Sequence, residues 1–137
     1  MSLNKSLNQF NKNSIFLALC LITISVQAHN QNPAAIRRAM DKAFKVLESP
    51  MPPNVFKGQS TIRVSGATAQ VFEAKKDGLI IGKVAQVEIQ EVIYIIAVGS
   101  DGVLKSVIRD GSLLEPSDWA ALSFVEETRK ILAPTKQ

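Results

Sequence analysis

Apolar residues recur at spacings of three and four along Ile36, Met40, Ala43, Phe44 and Leu47, while Arg37, Arg38, Asp41, Lys42, Lys45 and Glu48 fill the positions between them. That period predicts an amphipathic helix with one stripe packed on a sheet. Asn32-Pro33 opens it, with Asn as N-cap and Pro at the first helical position, where its missing N–H costs nothing. Ser49-Pro50-Met51-Pro52-Pro53-Asn54 ends it, because prolines deny the chain helical hydrogen bonds and favour an extended path. This is a stiff connector inside one domain.

The period then falls to two. Thr61–Val64 forms a short strand with Ile62 and Val64 on one face, and Ala69–Lys76 resumes with Phe72 and Ala74 opposite Glu73 and Lys75. Gly66 permits a turn or bulge between them, and the plain structural reading of Ser65-Gly66-Ala67-Thr68 is a bulge whose hydroxyls satisfy local backbone groups. Asp77-Gly78 is a strong hairpin signal. Across Leu79–Val98, Ala85, Val87 and Ile89 alternate with polar partners, and Val92–Val98 is then apolar almost without a break. That run fits a central strand covered on both sides. Twenty residues exceed one ordinary strand, so a tight turn or bend is placed near Gln90-Glu91. Asp101-Gly102 turns the chain again, Val103–Arg109 forms the next strand, and Asp110-Gly111-Ser112 closes it.

A final helix starts at Glu115-Pro116-Ser117 with Ser117 as N-cap, carries Trp119, Leu122, Val125 and Leu132 roughly along one side, and stops at Pro134. The expected architecture is α+β: a small antiparallel meander of four to five strands, with an N-terminal and a C-terminal helix covering one face.

The N-terminus changes which residues belong to this domain. Ile15–Val26 is a short apolar run and Val26-Gln27-Ala28 places compact residues before a cleavage point, so residues 1–28 read as a secretory signal peptide and 29–137 as a single domain. The run is shorter than the roughly 20 residues a membrane span needs, so no stable transmembrane anchor is expected after cleavage. Cys20 falls inside the signal, with bulky Leu19 before it. The expected location is periplasmic or secreted. Removing the signal takes away Lys5 and Lys12 and no acid, which lowers the formal charge from +4 to +2. No basic stripe stands out, so nucleic acid is not an expected partner.

The chemistry available is narrow. The mature chain has no cysteine, and its single histidine, His29, stands at the predicted new N-terminus. Thiol catalysis, Ser–His triads and zinc hydrolysis are therefore set aside, and no metal site is expected. Asp77, Asp101 and Asp110 each precede glycine and read as turn residues, and no phosphate-cradling glycine loop is present. Nothing marks the chain as an enzyme acting alone.

The segment Val71-Phe72-Glu73-Ala74-Lys75-Lys76-Asp77-Gly78-Leu79-Ile80-Ile81-Gly82, followed by Ile95–Leu104 around Asp101-Gly102, resembles the FMN-binding domain of Rnf- and Nqr-type electron-transport subunits. Trp119 and Phe124 loosely echo a later aromatic pair of that family, so the resemblance runs over about Ala69–Phe124. The family also carries a Ser-Gly-Ala-Thr motif whose threonine receives FMN through a phosphoester bond, and Ser65, Gly66, Ala67 and Thr68 match it letter for letter. The resemblance implies FMN on Thr68, electron transfer by the isoalloxazine and a redox partner protein, with Arg63 or Lys83 balancing the phosphate. Here the motif precedes the hairpins instead of following them, and Ile62 stands where the family favours Asp. The other reading is a cofactor-free periplasmic module that binds a protein or peptide through its sheet edge or helix face.

Overall fold

A computed structural model describes residues 32–134, of which 33–134 belong to the compact unit Pro33–Gln137. The signal-peptide reading of residues 1–28, with Cys20 and His29, lies outside the described residues. Helix α1 (Pro33–Val46) leads into six strands: β1 (Ser60–Val64), β2 (Ala67–Lys76), β3 (Leu79–Ile89), β4 (Val92–Gly99), β5 (Leu104–Arg109) and β6 (Ser112–Leu113). Two helices follow, α2 (Pro116–Trp119) and α3 (Ser123–Leu132). The strands form one antiparallel meander in the order β1-β2-β3-β4-β5-β6. The class is α+β, with six strands where the pattern predicted four to five. The extra strand is β6, two residues that pair with Ile108 and Arg109 beyond the Asp110-Gly111 turn. So short a strand has no alternation to read.

The turns explain why the strands meander. Four of the five hairpins reverse over two residues with positive φ: Ser65/Gly66 at 49° and 83°, Asp77/Gly78 at 53° and 80°, Gln90/Glu91 at 52° and 69°, and Asp110/Gly111 at 48° and 90°. Two consecutive positive φ values are the signature of the type I′ turn, whose twist matches that of the flanking strands. Ser65-Gly66 is therefore a tight turn and not the expected bulge. Gln90-Glu91 turns where the length of the apolar stretch demanded it, although neither residue is glycine.

The fifth turn is held by Asp101. Its carboxylate accepts from the Val103 N–H at 3.0 Å and from Lys105 at 3.2 Å. The backbone bond, then the lysine, hold this exposed carboxyl below the usual carboxylate range. A carboxyl lowered in the folded state adds stability that is present above its unfolded pKa and lost as pH falls through the folded value. Urea midpoints at about pH 6 and about pH 3 are expected to fall with acid, and Asp101→Asn is expected to remove its share of that fall.

Both faces of the sheet are covered. Met40, Ala43, Phe44 and Leu47 of α1 and its exit pack with Phe72, Ala74, Val84, Ile95, Ala97 and Ile108 on one face. Phe124, Val125 and Leu132 of α3 pack with Val64, Ala69, Val71, Ala85, Val87, Tyr94, Ile96, Val98 and Val107 on the other. The helices thus lie on opposite faces, not on one. Strand β4 has both sides buried from Tyr94 onward, as its apolar run implied. Helix α1 lies over β4 and β5, and α3 reaches across the sheet from β1 to β4.

The C-terminal helix is also divided. Pro116 occupies the first turn of α2 after N-cap Glu115, not Ser117, and the chain leaves helical geometry at Leu122 before α3 restarts. Neither break carries a side-chain cap. The interruption lets Trp119 and Leu122 pack on the same cluster as Phe124 and Val125.

Candidate functional site

Three places hold polar groups in positions that the packing fixes. The first is the Ser65–Thr68 hairpin. Ser65 and Gly66 form the turn itself, and Ala67 and Thr68 begin β2 opposite Val64 and Arg63. The Ser65 hydroxyl donates to Glu127 of α3 at 2.9 Å and its backbone N–H to the same carboxylate at 3.2 Å. Arg63 folds back over its own hairpin, donating to Thr68 Oγ1 at 3.0 Å and to the Gly66 carbonyl at 2.7 Å. The fold brings the four motif residues together at one hairpin end, with Ser65 fastened to α3 and the exposed Thr68 beside a guanidinium. Lys83 pairs with Glu73 across the β2–β3 ladder, so it shares neither strand nor turn with this hairpin.

The second place is the outer edge of β1. In a two-residue hairpin the closing pair, Val64 and Ala67, exchanges hydrogen bonds inward. Alternation then turns the backbone N–H and C=O of Thr61 and Arg63 away from β2. Beyond β1, strand β2 overhangs, and its outward amides are closed by side chains: Glu73 N–H donates to Gln59 Oε1 at 3.0 Å and Lys75 N–H to the Ser49 hydroxyl at 3.1 Å. The overhang is thereby protected, while no strand among the described residues pairs with the outer edge of β1. The opposite edge is short and followed at once by the chain into α2, with Leu114 N–H bonded to Val107.

The third place was missed by sequence reading. A cleft of about 330 Å³ lies between the Ile89–Val92 hairpin and the start of α3, lined by Ile89, Gln90, Val92, Tyr94, Arg109, Ala121, Leu122, Ser123 and Phe124. Tyr94 and Arg109 are cross-strand partners, and the Arg109 Nε donates to the Tyr94 hydroxyl at 3.2 Å. Phe124 meets the Tyr94 ring edge-on at 4.6 Å between centroids and fixes its orientation. The available signal was Tyr94 itself, a hydroxyl inside an apolar strand, which must find a partner when buried.

Among the described residues no group of three or more His, Cys, Asp or Glu side chains gathers as a metal site. No described helix is long and apolar enough to cross a membrane. Comparison of the chain with protein-family models, curated proteins and solved structures found no match.

Proposed function

We propose that the domain is an exported, cofactor-free binding module that takes an extended peptide or protein segment along the edge of β1. The observation that supports this is the contrast along one sheet edge: side chains close the amides of the β2 overhang, while Thr61 and Arg63 direct theirs outward. An added strand would engage those groups by main-chain hydrogen bonds and gain selectivity from its alternate side chains. Arg63, held to Gly66 and Thr68, leaves the edge clear.

The test uses Thr61→Pro, which deletes an outward donor and leaves the bonds from β1 to β2 untouched. Peptides selected from a displayed random library on the mature domain are expected to bind Thr61→Val like the parent and Thr61→Pro at least about tenfold more weakly. Equal binding to Thr61→Pro, or no selectable peptide at all, overturns the reading.

A second reading, electron transfer by covalently held FMN with a redox partner, draws on one observation. Thr68 is exposed and its hydroxyl already lies beside Arg63, whose charge would balance a phosphodiester there. Bound at that position, the isoalloxazine would supply the electron-transfer chemistry. The fit covers the phosphate end alone, since Thr68 does not line the cleft beside Tyr94 and Arg109. Intact mass and a visible spectrum of protein made in a host with flavin transferase decide it: added FMN mass that disappears in Thr68→Ala supports it, and unmodified, colourless protein excludes it.

A further inference from the structure

We propose that the Tyr94–Arg109 cleft binds a carboxylate carried on a small apolar body. The chemistry begins with Arg109. No carboxylate of the described residues lies within 4.0 Å of its nitrogens as an ion pair. One of its five N–H donors, on Nε, is used by Tyr94, and this bond holds the planar fork in a fixed direction. The two terminal nitrogens remain to meet a carboxylate in the bidentate way that suits a guanidinium. Tyr94 accepts from Arg109, so its own hydroxyl proton points to a second acceptor, and no described residue supplies one.

Tyr94 is pre-organised, only 6% exposed and clamped by Phe124, so it need not be ordered at the moment of binding, and it orients the exposed Arg109 through their shared hydrogen bond. Ile89, Val92, Leu122 and Phe124 form apolar walls. The volume lies near the lower end of small-ligand sites, roughly 300–1,000 Å³, which limits the occupant to a short chain or one side chain. Helix α3, which begins at this cleft without a side-chain cap, adds a favourable field but does not define the site. The cleft and the β1 edge share no residue, so either proposal can fail alone.

Two sources share this chemistry: a free short-chain carboxylate and the free C-terminus of a peptide ending in an apolar residue. Titrations followed by backbone and Arg side-chain NMR shifts separate them. The probes are hexanoate, hexanol, inorganic phosphate, acetyl-Ala-Leu with a free carboxylate and acetyl-Ala-Leu-amide. Saturable shifts are expected at Gln90, Ser123, Phe124 and the Arg109 guanidinium with one or both carboxylates, and the stronger of the two identifies the source. Hexanol and the amide are expected to bind at least about tenfold more weakly. Arg109→Gln is expected to lose at least about tenfold and the near-isosteric Tyr94→Phe about fivefold, with melting temperature recorded for each. Tyr94→Phe keeps the test valid if Arg109→Gln unfolds. Equal binding of hexanol, phosphate as strong as hexanoate, or shifts located elsewhere on the domain would each overturn the proposal.

Discussion

Phe72→Ala is expected to lower the stability of the domain by about 3–5 kcal/mol, the range for emptying a buried aromatic position. Phe72 has no exposed surface and sits opposite Val84 on the α1 face, in the cluster that includes Met40, Phe44, Ala74, Ile95 and Ala97. At Phe72 strand β2 is laddered to β3, which is laddered in turn to β4, so the surrounding backbone cannot readily collapse into the space. A domain of this size has a total stability of about 5–15 kcal/mol, so the loss takes a large fraction of it. Urea unfolding should show a lower midpoint with an unchanged slope. Phe56→Ala is the contrast: Phe56 is 42% exposed under the Arg37 guanidinium at 5.7 Å, and its loss should cost about 0.5–1 kcal/mol. Comparable losses at the two positions would mean that the core is not packed around Phe72.

Gly58→Ala is the second large effect, and no cavity is involved. A Cβ at Gly58 would run into the Val71 carbonyl oxygen and lie 2.7 Å and 2.8 Å from the Val71 nitrogen and carbonyl carbon. These are backbone atoms of an interior strand, so no flexible side chain can give way. The chain must move at the point where β1 begins to pair, where Gln59 N–H reaches the Val71 carbonyl at 2.9 Å and Gly58 N–H reaches Gln70 at 2.9 Å. A loss of about 1–3 kcal/mol or somewhat more is expected, together with faster hydrogen exchange in β1. If Gly58→Ala unfolds at the parental urea concentration, the close approach of this loop to β2 is wrong.

Much of the meander could be read from local pattern. The Asp77-Gly78 and Asp101-Gly102 turns announced themselves by residue type, and the length of Leu79–Val98 forced a reversal at Gln90-Glu91. Helix α1 was visible because about three turns of apolar residues, from Ile36 to Leu47, keep step on one side. The misreadings share a cause. Strand β6 is too short to carry a period, and the break before Ser123 has no glycine or proline to mark it. The helices were assigned to one face because periodicity tells which side of a helix is apolar but not which side of a sheet it meets. The unbroken run in β4 already required cover on both.

The candidate sites divide in the same way. Ser65, Gly66, Ala67 and Thr68 were conspicuous as a string, yet their arrangement depends on Arg63 and on Glu127, which arrives from a helix 62 residues away. Tyr94 and Arg109, separated by fifteen residues, meet only because β4 and β5 pair in one register. A shift of one residue would send the two side chains to opposite faces.

The amino-acid sequence by itself determined the turns, the strand and helix periods and the α+β class, because these arise from φ preferences and burial needs within a few residues. Tertiary structure decided which face each helix covers, which strand edge stays open and which polar side chains share a cleft. Those outcomes come from long-range register and from the demand that both faces of one sheet be buried at once, and no local pattern encodes them.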